Sequence, residues 1–400
     1  MTRFSIRHLT LFFSLALLAA CQTNVPSGLP QQQPAQLSAQ ETPDLSALPA
    51  PSGEVIGRGS VRVALLLPMS GQGTSAQVGR EFRNAAVLAM DDVGLDAMQL
   101  VIKDTGSDAN AVQSAASAAI YEGSSLVLGP VFASEVSAAS AITRPAGKMM
   151  IAFSSDRNVA GPRVYLNSFL PGGVVARTLA HASQNGVTSV IGFFPSGAAG
   201  DVAERAARNT LRDTGGSLTA ALRYEANEAS VQQMAASAVP LLAQSQGILI
   251  PEGGPMPSAI LAALRSNGGD LSGKRLLGTG QWTTANLADP ALQGAWFADS
   301  DQARLSAFKS RYQAKFGTAP SANAALAYDT VVMAGTIVKR FGPAGLAQSV
   351  IEADGGYSGY AGVFRFEPDG TTERGYAIYE VGPGGATRVV SPSPRSFSGS

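Results

Sequence analysis

The sequence predicts an α/β protein built as two lobes. Three observations carry this prediction. An apolar run at Val61–Leu67 ends in a proline and a glycine turn; strand-like and helix-like segments alternate after it; and the same rhythm restarts beyond Ser168–Gly173. Six of the seven residues from Val61 to Leu67 are apolar, which suits a strand buried on both faces of a parallel sheet. Pro68 cannot donate to a ladder, and Gly71 and Gly73 free the backbone to turn into a helix near Thr74. In open α/β sheets ligands sit at the carboxyl ends of strands. The loop Met69–Ser75 is therefore the first candidate binding loop.

The first lobe continues with a helix over Thr74–Val93, whose apolar stripe holds Phe82, Ala85, Ala86, Leu88 and Ala89. Strands follow at Met98–Lys103, Leu126–Leu128, Lys148–Phe153 and Val164–Asn167. They alternate with helices at Asp108–Tyr121, where Asp108 suits an N-cap, and Ser134–Thr143. In the second lobe, helices at Gly173–Asn185, Ala198–Thr214, Ser230–Leu242 and Pro257–Ser266 alternate with strands at Thr188–Phe194, Ser217–Tyr224, Gly247–Ile250 and Lys274–Leu277. Long helices at Gln302–Phe316 and Ala322–Phe341 precede a short one at Gly345–Glu352. Gly362–Glu367 and Gly375–Val381 read as a hairpin around Pro368-Asp369-Gly370, and the tail from Gly382 reads as loose.

Four hundred residues suffice for two cores, and 29 basic residues balance 29 acidic ones. No basic run stands out, so a nucleic-acid partner is not expected. A single cysteine and two histidines leave no metal cluster and no internal disulfide.

The first residues read as a secretory leader. Arg3, Arg7 and His8 precede the apolar run Leu9–Ala20, which is too short to span a bilayer. The run ends L-A-A-C and resembles the bacterial lipobox, so residues 1–21 are expected to be a lipoprotein signal with Cys21 as the lipidated anchor. Gln22 after it leans toward the outer membrane. Residues 22–60, rich in Pro, Gln, Ser and Ala, are expected to be a disordered tether on the periplasmic face.

Two enzyme-like signals have plainer explanations. Gly71-x-Gly73-x-x-Ala76 matches the dinucleotide fingerprint, but Pro68-Met69-Ser70 separate it from the strand. No acidic residue stands at a strand end at the right distance. His181 lies inside a helical segment, and no G-x-S-x-G elbow accompanies it. No catalytic residue, cofactor or metal is expected. Loops rich in hydroxyls and glycine recur instead at strand ends: Ser70-Gly71, Ala133-Ser134, Ser154-Ser155, Pro195–Gly197, Glu252–Gly254 and Thr279–Gln281. Their hydroxyls and backbone N–H groups can hold a small polar ligand. The expected ligand contacts are Ser70, Ser134, Ser154, Ser155, Gly253 and Gln281.

V-R-V-A-L-L-L-P-M-S-G, L-V-L-G-P-V-F-A-S-E-V, M-M-I-A-F-S-S and Y-S-G-Y-A-G-V-F-R-F-E-P-D-G occur in order between Val61 and Val381. Together they resemble the type I periplasmic binding proteins of the leucine-binding group. The resemblance implies two doubly wound, Rossmann-like lobes joined by three crossovers, with the ligand between them. Those crossovers are expected near Ser168–Gly172, Gly278–Thr283 and Lys339–Gly362. Lobe 1 would then comprise 61–168 plus 283–339, and lobe 2 172–278 plus 362–390.

In amino-acid-binding members, hydroxyls after the third and fourth strands hold the ligand's carboxylate and amine, and Ser134 and Ser154-Ser155 fall at or beside those places. Asp156 stands where a hydroxyl is usual, Val78 where an aromatic is, Ala199 where a tyrosine is, and Gln281 nearest an acidic position. These departures, the lipobox and the tether resemble a lipoprotein branch, the LpoA-type penicillin-binding protein activators. The implied partner is a penicillin-binding protein or peptidoglycan synthase, reached from a lipid anchor. The alternative is the binding component of an ABC transporter for branched-chain or other amino acids, whose partner is the permease.

Overall fold

A computed structural model describes residues 44–106 and 108–397. Cys21 and the expected signal lie outside the described residues. In chain order the strands and helices are β1 (Glu54–Ile56), β2 (Arg62–Leu67), α1 (Thr74–Val93), β3 (Gln99–Asp104), α2 (Ala109–Tyr121), β4 (Leu126–Leu128), α3 (Ala133–Thr143), β5 (Met149–Ala152), β6 (Val164–Leu166), α4 (Pro171–Gln184), β7 (Ser189–Pro195), α5 (Ala198–Asp213), β8 (Ser217–Tyr224), α6 (Glu228–Ala238), β9 (Gly247–Leu249), α7 (Met256–Ser266), β10 (Arg275–Thr279), β11 (Trp296–Asp299), α8 (Gln302–Phe316), α9 (Ala324–Phe341), α10 (Gln348–Ile351), β12 (Tyr357–Gly359), β13 (Gly362–Phe366), β14 (Thr372–Arg374), β15 (Ala377–Val381) and β16 (Thr387–Ser391).

Two sheets organise the chain. The first runs β1-β3-β2-β4-β5-β6 and the second β16-β15-β11-β10-β9-β7-β8. Strands β2 to β6 are mutually parallel, and so are β7 to β11. Every residue of β2 is buried, as its apolar run requires of a strand covered on both faces. Two further fits between sequence and geometry set the first lobe. Asp108 accepts from the N–H groups of Asn110 and Ala111, each at 2.9 Å, and so caps α2. Gly79 lets α1 approach the strand end, since a Cβ there would lie 2.7 Å from the Pro68 carbonyl oxygen.

In the first lobe one apolar cluster lies between the sheet and α1, α8 and α9 and takes in Tyr357, Phe364 and Phe366 from the three-stranded sheet β12-β13-β14, and a second joins the sheet to α2 and α3. Helix α9 is apolar nearly all round and is a buried helix for that reason. In the second lobe one apolar cluster lies on each face of the sheet.

Four stretches differ from what the sequence predicts. Residues 44–60 of the expected tether are ordered. Leu48 packs on Gly123, and Ser52 sits on the buried Lys103–Glu122 pair, which the chain must satisfy. Trp296–Asp299, inside the range expected for lobe 1, is a parallel strand of the second sheet beside β10. The expected hairpin does not close on Gly375–Val381. Strand β13 pairs with β14, and β15 pairs antiparallel to β11 in the other sheet. The tail from Gly382 forms β16 on β15.

The chain consequently passes between the lobes at 167–170, 300–301 and 375–376, not at Gly278–Thr283 or Lys339–Gly362. The physical reason is the extra parallel turn through β11, which delays the second crossing. The first and third crossings are tied together. The Arg374 guanidinium donates to the Asn167 side-chain oxygen and, at 3.0 Å, to the Ala361 carbonyl, while Asn167 donates to Thr330 Oγ1 at 2.7 Å.

Candidate functional site

The parallel ladders fix where the ligand loops lie. Leu67 of β2 is level with Asp104 of β3, and Leu128 of β4 with Ile151 of β5, so their following loops share one edge. Each sheet reverses its winding once. The chain goes from β2 to β3 on one side and then to β4 on the other; from β7 it goes to β8 and then to β9. Such reversals open a crevice at the strand ends. In the first lobe this crevice is flanked by the loops holding Ser70 and Ser134, and in the second by Pro195–Gly197 and Glu252–Gly254.

On the first lobe, Ser70 is exposed and its N–H donates to Asp104 Oδ1 at 3.1 Å, which also accepts from Gly106 at 2.8 Å. Burial opposes the Asp104 charge, yet the hydrogen bonds from Ser70, Gly106 and Met69 hold its carboxyl below the usual range. Ser134 is exposed in the first turn of α3. Beside it Glu135 is buried, with Thr105 Oγ1 at 3.4 Å, and burial pushes its carboxyl up despite the N–H groups of Phe132 and Val131. Ser154 and Ser155 follow β5 but face differently. Ser155 is exposed, while Ser154 is buried and its Oγ accepts the Asp156 N–H at 3.1 Å. Ser154 thus shapes the loop and leaves Ser155 to the solvent side.

Two of the family departures have local explanations. The Asp156 carboxylate accepts the Asn158 N–H at 3.0 Å and caps the short helical turn Arg157–Val159. Val78 packs against the first-lobe core.

On the second lobe the structure brings Gly253 and Gln281 together. A Cβ on Gly253 would lie 2.0 Å from the Gln281 carbonyl oxygen, so only glycine permits this approach. Thr284 Oγ1 joins the two loops, accepting from Gly254 N–H at 2.9 Å and donating to the Gln281 carbonyl at 2.7 Å. Underneath, the wholly buried Trp282 donates from Nε1 to the Ile250 carbonyl at 2.8 Å, and Thr279 donates to Pro251 O at 2.7 Å. The Gln281 side chain is exposed. Tyr224 donates its hydroxyl to Glu252, and burial raises the Tyr224 pKa far above its ordinary value. Asp299 lies against Gly280, and burial raises its carboxyl as well.

The structure therefore places Ser70, Ser134 and Ser155 as exposed groups on one lobe and Gln281 on the other. Ser154 and Gly253 act as supports. Sequence reasoning missed Phe132, a large side chain 38% exposed at the start of α3, and the carboxylates Asp104, Glu135, Glu252 and Asp299 at the same strand ends. Asp104 and Glu252 carried a signal, since each stands at or just past the end of an apolar strand, whereas Glu135 lies further on in α3 and Asp299 ends a strand too short to read. Among the described residues no group of three or more His, Cys, Asp or Glu is arranged to hold a metal, and no helix is long and apolar enough to cross a membrane.

A family model described as periplasmic binding protein matches residues 60–386. Solved structures share the fold. A branched-chain amino acid ABC transporter protein from Rhodospirillum rubrum is 22% identical with a TM-score of 0.71, over 82% of this chain and 99% of that one. A substrate-binding protein from Desulfitobacterium hafniense in complex with Leu is 17% identical with a TM-score of 0.56, over 82% and 99%. A solute-binding protein from R. palustris in complex with benzoate is 18% identical with a TM-score of 0.51, over 84% and 97%. No curated protein matches the chain.

Proposed function

The chain belongs to the periplasmic binding protein family, whose members are non-enzymatic solute-binding proteins, and from that premise we propose that it is the solute-binding component of an ABC-type transporter. The observation that carries this reading is the pair of winding reversals, one per sheet, each flanked by loops of small and polar residues. The ligand is a small polar solute held between Ser70, Ser134 and Ser155 on one lobe and Gln281 on the other, with Phe132 offering an apolar face. Two solved relatives carry leucine and benzoate, so amino acids and aromatic acids are the first solutes to test. The Asp104, Glu135 and Glu252 carboxylates make this face a poor partner for a ligand carboxylate unless Ser134 and the α3 N–H groups screen it.

A thermal-shift panel of amino acids, aromatic acids and short peptidoglycan peptides tests the proposal. At least one solute should raise the melting temperature by several degrees, and Ser155→Trp should remove that shift while leaving the unliganded melting point in place. A panel in which nothing shifts would contradict it.

A second reading is favoured by Val78, Ala199 and the committed Asp156: the lobes serve as a scaffold of the LpoA type, activating a penicillin-binding protein in peptidoglycan synthesis. It expects no solute shift and capture of a peptidoglycan synthase. Both readings keep the protein on the periplasmic face with a lipid anchor at Cys21; the outer membrane, toward which Gln22 leans, belongs to the second. Cys21→Ser should move it from the membrane fraction to the soluble one, and a variant that still pellets with membranes would refute the anchor.

A further inference from the structure

Away from the ligand loops, a cavity of about 440 Å³ lies where the lobes join. One wall is α4 and α5 of the second lobe; the other comes from first-lobe elements, with Arg157 and the segment Thr371–Arg374. Leu170 of the first crossing and Tyr376 of the third also line it.

The charges on these walls are matched unevenly: Arg157 and Arg374 each have a carboxylate nearby, Asp369 and Asp329, whereas Arg177 has none. Glu367 and Glu373 are already engaged by Arg365, at 3.1 and 2.6 Å. Arg177 is part-buried and donates to the Tyr376 carbonyl at 3.1 Å and to Ser391 Oγ at 2.6 Å, both neutral acceptors. Burial alone lowers its pKa, with no carboxylate contributing. Arg374 is 6% exposed, sits with its guanidinium carbon 5.1 Å from the Phe169 ring centroid and 5.2 Å from that of Phe364, and leaves Nε without a hydrogen-bond partner. Its other nitrogens reach only a carbonyl and an amide oxygen. Arg157 meets Asp369 at 3.6 Å, and both side chains are more than half exposed. Buried guanidinium groups are ordinarily matched by an anion. Here the fold supplies none to Arg177, which lines the cavity beside Ala176 and Ala180.

We infer that this cavity is a second binding site, for a small oxyanion bearing phosphate or carboxylate, and that occupancy ties the two lobes together at the crossings. The anion bridges Arg177 on the second lobe and the first-lobe arginines, so it stabilises the relative setting in which the two walls face each other. By linkage it then alters solute affinity at the strand-end loops. Only that last consequence rests on the transport reading; anion binding itself does not.

The test uses the full chain at constant ionic strength, titrated with sodium phosphate or sodium citrate against a sodium chloride reference, by calorimetry and melting temperature. Saturable binding in the millimolar range or tighter is expected, with a rise in melting temperature that chloride does not give. Arg177→Gln should weaken it at least tenfold. Ala206→Leu, which fills the cavity from α5 on the same wall without replacing an arginine, should do the same. Arg388→Gln, on an exposed arginine elsewhere, should leave it intact. Binding of phosphate alone would identify a phosphate site, and of citrate alone a carboxylate site. No saturable binding of either, or binding unchanged in both cavity variants, would overturn the inference. Anion binding without any solute response would keep this site and count against the transport proposal alone.

Discussion

The two lobes share a winding pattern but bury different chemistry. Arg62, Lys103, Glu122, Glu135 and Asp329 are all buried in the first lobe. Among the described residues, the polar groups buried in the second-lobe elements β7–β11 and their helices are Thr178, His181, Ser245 and Thr279. Charges in the first lobe hold segments distant in sequence: Lys103 and Glu122 seat Ser52 of the N-terminal arm, and Asp329 on α9 accepts the N–H groups of Tyr360 and Ala361, each at 2.8 Å. The second lobe holds its ligand loops through Trp282, Thr279 and Thr284. The difference teaches that one fold can fix its segments mainly through buried ionic groups in one lobe and mainly through neutral hydrogen bonds in the other, where the part-buried Asp299 carboxyl against Gly280 keeps a pH dependence.

The largest effect that would break this comparison is at the buried pair, where Lys103 Nζ and Glu122 Oε2 are 2.6 Å apart. Removing one partner strands the other, so Lys103→Met should cost about 3–5 kcal/mol in urea unfolding. The part-exposed second-lobe pair Arg223–Glu204 should cost about 1 kcal/mol or less when Arg223 is changed to Met. Equal costs would erase the distinction.

The second test is pH. Burial pushes the Asp329 carboxyl up to about 7 against its two backbone donors. Its folded pKa exceeds the unfolded one, so its contribution is full below about pH 4 and declines as pH rises toward 7, by up to about 1.4 kcal/mol per pH unit. Glu122 and Asp104 act oppositely. Burial raises both, but their hydrogen bonds win and hold them low, so their stabilisation is present above about pH 4 and is lost on acidification. Asp329→Asn should flatten the pH 4–7 slope, and a slope unchanged in the variant would refute the assignment.

Smaller effects sharpen the second lobe. Trp282→Phe leaves the Ile250 carbonyl without its donor and a void beside it, and should cost about 1–3 kcal/mol by denaturant titration. Gly253→Ala forces the loop away from Gln281 and should cost about 1–2 kcal/mol while weakening any solute more than tenfold. A Gly253→Ala protein of unaltered affinity would remove Gln281 from the site.

Much of the fold was legible because buried parallel strands leave dense apolar runs. Helix α1 and strands β4 and β8 match their expected ranges residue for residue. What escaped was decided by long-range pairing. Trp296–Asp299 is too short to announce itself, and whether Gly375–Val381 closes a hairpin or joins β11 depends on a partner some eighty residues away. The ordered arm at 48–56 has a loop's composition, and it docks through partners distant in sequence: the buried Lys103–Glu122 pair, Gly123 under Leu48, and the β3 edge that β1 joins. At the site, hydroxyls at strand ends were readable, but not which would turn inward. Ser154 and Ser155 are neighbours of one type, and only the Asp156 N–H separates their roles.

The central claim is that the two strand-end faces close on a shared solute. It is tested most directly by placing spin labels at Ser137→Cys and Asn286→Cys, exposed positions near the loops but outside the assigned contacts, in a Cys21→Ser background and measuring their separation with and without the solute that gives the largest thermal shift. The account predicts a distance that shortens and narrows as that solute saturates. A distance distribution unchanged at saturation would contradict it.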